Sequence, residues 1–223
     1  MDEITLIIPA KNEAESLPRV LDELKNYSYN INVILHPSDE STIKAIKDYN
    51  IKIIYQKNYG YGDALIEGIN NCNSKFFCIF NADGSFNPIE IDLMEKFMIK
   101  NKLDLVFASR YEKNSSSDDD TIITLIGNYI FTLMGKIFFK LKITDILYTF
   151  VLGNTENTKN LNLKEKDFCF CVELPIKARR KNLKIASLNS HERKRIAGKK
   201  KVNEIRDGFK ILSSMIKLFF SKY

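Results

Sequence analysis

A chain of 223 residues with 44% hydrophobic and 28% charged positions, 9 Gly and 5 Pro, has the composition of an ordinary folded protein, which excludes a disordered or repeat-built one. The length suits one large domain, or a domain with a helical appendage, because two independent cores would each be small. The formal charge of +6 is uneven: Lys177 to Lys201 holds eleven Lys or Arg against Glu192 alone, so that segment is +10 and the remainder −4, and such a surface attracts phosphate, anionic lipid or nucleic acid.

In chain order, Ile4 to Pro9 reads as a buried strand, and Asn12 is placed to cap a helix from Glu13 towards Asn26, with Leu17, Val20, Leu21 and Leu24 as its apolar stripe. Ile31 to Leu35 is a second strand, and Ser38, Asp39 and Glu40 start the next helix. Ile51 to Tyr55 is a third strand, Asp63 to Asn71 a helix, and Lys75 to Phe80 a fourth strand. Pro88 sits near the first turn of a helix running to about Lys100, and Leu103 to Ala108 is a fifth strand. Strands that are apolar runs, alternating with helices, predict an α/β, doubly wound, mostly parallel sheet with helices on both faces. Ligands of such sheets bind beyond the carboxyl ends of the strands.

After Glu112 the pattern changes. Asn114 to Asp120 is a polar, acidic loop, and the chain then turns helical and apolar before Asp145. Phe168 to Val172 reads as extended, Glu173 to Arg180 as a helix, Leu183 to Ser187 as a short strand, and the residues beyond Lys201 as a final helix of a helical C-terminal portion. The apolar stretches Thr121 to Leu141 and Phe209 to Phe220 are interrupted by Lys136, Lys140, Lys210 and Lys217, so neither is expected to span a membrane. Phe209, Leu212, Met215, Ile216 and Phe219 recur at helical spacing, which suits either a helix packed on its own core or one lying on a membrane surface.

Cys72, Cys78, Cys169 and Cys171 lack the C-x-x-C spacing of metal knuckles and redox motifs. They read as free, buried packing residues, the last two on one face of a strand. Met1 to Glu3 is acidic and Ile4 to Ala10 is too short for a secretory core, so a reducing cytoplasm is expected.

The most informative segment is Asn81 to Pro88, directly after a buried strand. A carboxylate at a strand's carboxyl end, Asp83, in a turn opened by Gly84, suits a hard divalent ion that bridges to substrate phosphates. Several segments together resemble family 2 glycosyltransferases, especially the polyprenyl-phosphate sugar transferases of the dolichyl-phosphate mannose synthase kind, and the resemblance covers nearly the whole chain. Ile8-Pro9-Ala10-Lys11-Asn12-Glu13 is similar to the family's I-P-A-x-N-E, and Asn58 to Ala64 to its N-x-G-x-G-x-A turn, with Gly60 and Gly62. Asn81-Ala82-Asp83-Gly84-Ser85 resembles D-A-D-G, Ser109-Arg110-Tyr111 resembles G-S-R-[YF], and Asp145 with Tyr148-Thr149-Phe150 resembles D-x-x-S/T-G-F. Glu173 matches an acid in the family's helix, and Arg195 to Lys201 is similar to R-x-x-G-x-S-K, a basic loop that closes over the diphosphate.

The resemblance implies a GT-A domain over residues 1–201 and an amphipathic helix over 202–223. It also implies inverting hexosyl transfer from a nucleotide-sugar donor to a lipid phosphate or a glycan hydroxyl, with a role in cell-envelope glycan synthesis. On that reading Mg²⁺ or Mn²⁺ sits on Asp83 and Ser85, Arg195 and Lys201 stabilise the leaving group, and Asp145 lies near the nucleophile. Pro9, Ala10, Asn12, Glu13, His36, Gly60, Gly62, Asn81, Ala82, Asp83, Arg110 and Glu173 hold the donor. The implied partners are the donor, the acceptor, an anionic membrane surface and a second copy of the chain, with no nucleic acid. Two positions depart from the pattern: Leu35-His36 stands where the family has two acids, and Asn81 where it has the first acid of D-x-D, an amide that brings no charge. A catalytically inactive nucleotide-sugar-binding relative is therefore the alternative. A dinucleotide-binding turn at Gly60-Tyr61-Gly62 is excluded by position, because it follows the third strand rather than the first.

Overall fold

In the computed structural model, which describes residues 3–198 and 201–221, strand β1 (Ile4–Pro9) sends alternate side chains to two separate cores: Leu6 and Ile8 to one, Ile7 to the other. A strand buried on both faces has no polar side to show, which is why its sequence is an apolar run. Helix α1 (Leu17–Leu24), strand β2 (Asn30–Leu35), helix α2 (Glu40–Ile46), strand β3 (Lys52–Tyr55), helix α3 (Tyr61–Asn70), strand β4 (Phe76–Ile79), helix α4 (Ile89–Asn101) and strand β5 (Leu105–Ser109) follow in the predicted alternation. Asp39 caps α2 by accepting from Thr42 N. Asn12 caps nothing: it adopts φ 53°, its N–H donates to Asp39 Oδ2 at 2.6 Å, and α1 begins only at Leu17.

Beyond β5 come the two-residue strand β6 (Ser116–Ser117), helix α5 (Ile122–Phe139), strand β7 (Val151–Asn154), helix α6 (Thr155–Lys159), helix α7 (Phe170–Arg180), strand β8 (Ile185–Asn189), the short β9 (His191–Glu192) and helix α8 (Glu204–Phe220). The main sheet runs β3-β2-β1-β4-β7-β5-β8, with β7 antiparallel to both neighbours and the other pairings parallel. Strand β7 was not anticipated. The expected extended segment Phe168 to Val172 instead enters α7, so Cys169 and Cys171 belong to a helix start rather than a strand, although all four cysteines are buried free thiols as expected.

Helices α1 and α4 cover one face of the sheet; α3, α7 and α8 close the other, where Ile211, Met215 and Leu218 of α8 enter the core. The face of α8 carrying Phe209, Ile216 and Phe219 stays exposed. Helix α5 is built inside out. Its buried residues are Asn128, Thr132 and Gly135, while Ile122, Ile123, Leu125, Ile126, Tyr129, Ile130, Leu133, Ile137 and Phe138 are exposed. Lys140 caps this helix instead of interrupting it, so 18 residues carry one charge, and α5 is long and apolar enough to cross a membrane by length and composition alone.

Gly153 marks the tightest point of the sheet, because a Cβ there would stand 2.5 Å from the Phe77 ring and 2.8 Å from Leu105. Gly153→Ala should lower stability by about 1–3 kcal/mol through overpacking. Urea denaturation measures this, and an unchanged midpoint would mean that Phe77 yields freely.

Candidate active site

A cleft of about 640 Å³ opens beyond the carboxyl ends of β1, β2 and β4 and runs to the gap between α5 and α8. Of the residues expected to hold the donor, Pro9, Ala10, Asn12, Glu13, His36, Gly60, Asn81, Ala82, Asp83 and Arg110 line it, as do Arg195 and Lys201. Gly62, Ser85, Asp145 and Glu173 do not.

At the β1–β2 end, Glu13 accepts from Ser16 Oγ at 2.5 Å and pairs with the ammonium of Lys201. The His36 ring stacks on Tyr59, with centroids 4.0 Å apart, and both hydrogen-bond Ser38 Oγ. Gly60, at φ 148°, packs so closely on the 165–167 loop that a Cβ would meet Lys166 O at 2.0 Å, and Gly62 abuts Glu165 O. Gly62 therefore serves that docking instead of the cleft. The loop is anchored from behind by Glu173, which accepts from Lys164 N and Glu165 N at 2.8–2.9 Å and pairs with Lys177. Glu173 is thus a brace beneath the cleft floor.

The turn after β4 is held by its own hydrogen bonds. Asp83 Oδ1 accepts from Ser85 N at 3.0 Å, and Asn81 Nδ2 donates to Ser85 Oγ at 3.2 Å, with Ser85 outside the cleft lining. The segment after β9 lies on this turn: Arg193 N donates to Ser85 O and Ile196 N to Asp83 O, both at 2.8 Å, and the Ile196 side chain covers Gly84. Arg195 forks onto Asp119, from Nε at 3.2 Å and from Nη2 at 2.5 Å, while its Nη1 stands 3.8 Å from Asp83 Oδ2. Those hydrogen bonds to Asp119 raise the guanidinium pKa above its ordinary value. Asp119 was missed from sequence, where it was one acid of a polar loop. Lys199 and Lys200 of the basic motif lie outside the described residues.

Arg110 sits at the centre of a buried polar knot. Its Nε and Nη2 donate to Asp145 at 2.8 and 3.1 Å, its Nη1 donates to Glu192 at 3.3 Å, and Asn128 Nδ2 donates to Asp145 at 2.6 Å. Burial works against the Arg110 charge, but the adjoining Asp145 and Glu192 outweigh it and hold its pKa well above the usual value. Burial also raises the Glu192 pKa, with Arg110 pulling the other way. Asp145 has no exposed surface and its carboxylate is spent on Arg110 and Asn128. It is placed to hold Arg110 rather than to meet a nucleophile.

A hard divalent ion takes oxygen ligands and often completes its shell with phosphate and water. Asp83 Oδ2 and Asn81 Oδ1 are the oxygens that the turn's internal hydrogen bonds leave over. This set fits an ion held by one carboxylate and finished by a diphosphate. The far end of the cleft is mixed in kind: Ile123 and Phe131 of α5, Leu147, Phe168, Val202 and Ile211 supply apolar lining, and Glu204, Arg206, Asp207 and Lys210 of α8 supply charges.

Asp145→Asn should destabilise the fold by about 3 kcal/mol, because it strips a buried cation of its main partner. Chemical denaturation measures it. Full stability with turnover lost would instead return Asp145 to the chemistry.

Comparison with known proteins agrees with this architecture. The family described as glycosyl transferase family 2 matches residues 5–161. A dolichyl-phosphate beta-glucosyltransferase of Trichomonas vaginalis is 27% identical over 96% of this chain and 70% of its own length. A UDP-N-acetylglucosamine–dolichyl-phosphate N-acetylglucosaminyltransferase of Methanococcus voltae is 26% identical over 56% of this chain and 59% of its own. Among solved structures, glucosyl-3-phosphoglycerate synthase from Mycobacterium tuberculosis, in complex with Mn²⁺, UDP and glucosyl-3-phosphoglycerate, superposes with a TM-score of 0.72 at 13% identity, covering 100% of this chain and 81% of that one. The last is a likeness of fold, the GT-A arrangement of a mostly parallel sheet between helices. With the family matched over residues 5–161 and the cleft at the carboxyl edge of the sheet, the chain belongs to glycosyl transferase family 2 and is a glycosyltransferase.

Proposed function

We propose that this transferase moves a sugar, with inversion, from a nucleoside-diphosphate sugar to a polyprenyl phosphate at the cytoplasmic face of a membrane. The observation that carries the reading is the two-sided cleft, with a polar, charge-bearing end at β1, β2 and β4 and a second end between α5 and α8 where the apolar Ile123, Phe131, Val202 and Ile211 stand with the charged Glu204, Arg206, Asp207 and Lys210. The first suits a nucleotide and its diphosphate; the apolar residues of the second suit a lipid chain. The names of the dolichyl-phosphate relatives point the same way.

In this mechanism, His36 and Tyr59 offer an aromatic surface to the nucleobase, and Arg195 and Lys201 face the diphosphate. A phosphate oxygen of the acceptor attacks the anomeric carbon from the side opposite the leaving group. As that bond forms, the bond to the donor's diphosphate breaks and a nucleoside diphosphate departs. Charge accumulates on the leaving oxygens, where Arg195 and Lys201 stabilise it. A Mg²⁺ or Mn²⁺ ion, held by Asp83 with Asn81, would supply further electrostatic stabilisation of the diphosphate. A hydroxyl acceptor needs a base, whereas a phosphate has no proton to lose at neutral pH. The burial of Asp145 on Arg110 therefore favours the phosphate acceptor.

Fourteen of the twenty large apolar side chains exposed among the described residues lie on two helices, nine on α5 and five on α8. An apolar area of this extent marks an interaction surface. It adjoins the α5–α8 end of the cleft, and Lys136, Lys210 and Lys217 lie on the same two helices, as suits an anionic bilayer. The free cysteines fit a reducing compartment. Residues 202–223 then serve both as part of the cleft wall and as a surface anchor.

The transfer is tested by incubating the protein with UDP-, GDP- and dTDP-sugars, Mg²⁺ or Mn²⁺, and polyprenyl phosphate in vesicles. Sugar should enter the lipid fraction with inverted anomeric configuration, and Asp83→Ala should abolish metal-dependent donor binding without unfolding the chain. Transfer to glycan hydroxyls alone would overturn the acceptor assignment, and a donor left both unbound and intact would identify an inactive relative. In flotation with anionic vesicles the protein should rise with the lipid. Ile130→Ser with Phe209→Ser should abolish most of that binding at unchanged thermal stability, since both side chains are already exposed. Protein that stays in solution at low salt would remove the membrane from the proposal.

A further inference from the structure

The acidic loop before α5 and the basic segment after β9 are held side by side. Strands β6 and β9 pair with Ser117 opposite Glu192. Asp118 N donates to Glu192 O at 2.9 Å, and Ser117 Oγ both donates to Glu192 at 2.5 Å and accepts from Asp119 N at 3.2 Å. Two residues beyond this register stands Asp119 and three beyond it Arg195, so the pairing of the strands sets the meeting of the two side chains.

From this geometry we propose that Asp119 is a positioning residue for the diphosphate: it fixes the Arg195 guanidinium in the orientation that presents its free edge to the donor. The inference rests on the reading of Arg195 as a diphosphate ligand. A guanidinium carries five N–H donors in a rigid plane. Asp119 takes the edge formed by Nε and Nη2 and uses two of them. Three remain, of which one on Nη1 and one on Nη2 form the end edge that pairs with phosphate in a bidentate manner. Nη1 is the nitrogen nearest Asp83, at 3.8 Å. Arg195 lines the cleft, whereas Asp119 holds it from behind, outside the lining.

The division of labour has a thermodynamic reason. A free arginine loses rotamer entropy when it grips a ligand. One already clamped at partly buried positions, about 22% and 20% exposed for the two side chains, has met that cost on folding. Asp119 also holds the segment at the point where it rests on the turn after β4. Its partner Arg195 lies between Arg193 N–H and Ile196 N–H, the two donors that bind the turn containing Asp83.

The experiment compares wild type, Asp119→Asn, Asp119→Glu, Arg195→Gln and the double variant Asp119→Asn/Arg195→Gln, with Asp118→Asn as control. Calorimetry measures the affinity for UDP, GDP and dTDP in Mg²⁺, and thermal midpoints are recorded in parallel. For the diphosphate that binds wild type, Asp119→Asn should weaken affinity roughly 10-fold, as loss of an outer partner commonly does. Asp119→Glu should recover part of it, Asp118→Asn should match wild type, and the double variant should bind no more weakly than Arg195→Gln alone. Binding by Asp119→Asn that is equal to or tighter than wild type would overturn the proposal, as would losses that multiply in the double variant. If Arg195→Gln itself binds the diphosphate normally, the failure lies in the underlying assignment of Arg195, and the inference falls with it.

Discussion

The buried pair of Arg110 and Asp145 is the interaction on which the second half of this structure depends. Arg110 follows β5, Asp145 lies between α5 and β7, Asn128 reaches in from α5, Glu192 comes from β9, and Asp120, 3.9 Å from the guanidinium, precedes α5. Three carboxylates, from the loop before α5, the segment before β7 and β9, converge on one guanidinium, and Asn128 joins them through Asp145. Burying such a pair gives little net stability, because desolvation cancels much of the attraction, but removing one partner is costly. The pair therefore acts less as a source of stability than as a constraint on where α5 and β9 can sit, and both line or border the cleft.

That constraint accounts for the unusual construction of α5. A helix packed on a protein core by an apolar stripe would bury its isoleucines and leucines. Here Asn128 is committed to Asp145 and the Leu147 amide, and Thr132 to the Ile146 amide, so the polar and small face must point inwards. Gly135 lets Leu141 and Ile146 approach closely. The apolar residues are then left on the outside, next to the exposed face of α8. The polar knot that shapes the cleft and the apolar surface beside it have one cause.

Much of the first half was legible from sequence, since strands buried on both faces leave apolar runs and the intervening helices carry clear stripes. Strand β7 was not, because it is four residues long with Gly153 in its interior, and glycine weakens a strand signal. The start of α7 was hidden by Phe168 to Val172, which is apolar enough to read as extended, and by Pro175 within the helix. Asn12 has the residue type of a cap but a left-handed backbone, which only coordinates reveal. The site was legible as a set of segments rather than as a set of roles. Gly62, Ser85, Asp145 and Glu173 were expected to hold the donor, the metal or the nucleophile, yet none of them lines the cleft and each contacts residues that do or that lie beneath them. Residue type at the end of a strand does not say which way the residue points. Asp119 was illegible for a related reason: three consecutive acids in a loop look like a solvated turn until the strand pairing of β6 and β9 brings Arg195 beside them.

The departure at Asn81 gains meaning from the charges around it. Around the proposed diphosphate position the acids Asp83, Asp119 and Glu13 stand beside the cations Arg195 and Lys201, and Lys11 and Arg110 also line the cleft. An aspartate at position 81 would attract a metal ion more strongly, by about 4 kcal/mol for unit charges about 4 Å apart at an effective dielectric of about 20 before desolvation, and twice that for a divalent ion. The same aspartate would repel the diphosphate by a comparable amount whenever the metal is absent. Asparagine at 81 lowers both terms. In the proposed mechanism, metal binding would then depend on the phosphates that arrive with the donor, and the cations of the segment after β9, held by their acidic partners, would take a larger share of the leaving-group charge. On this account the amide redistributes the work between the turn and the basic segment and does not remove the capacity for transfer.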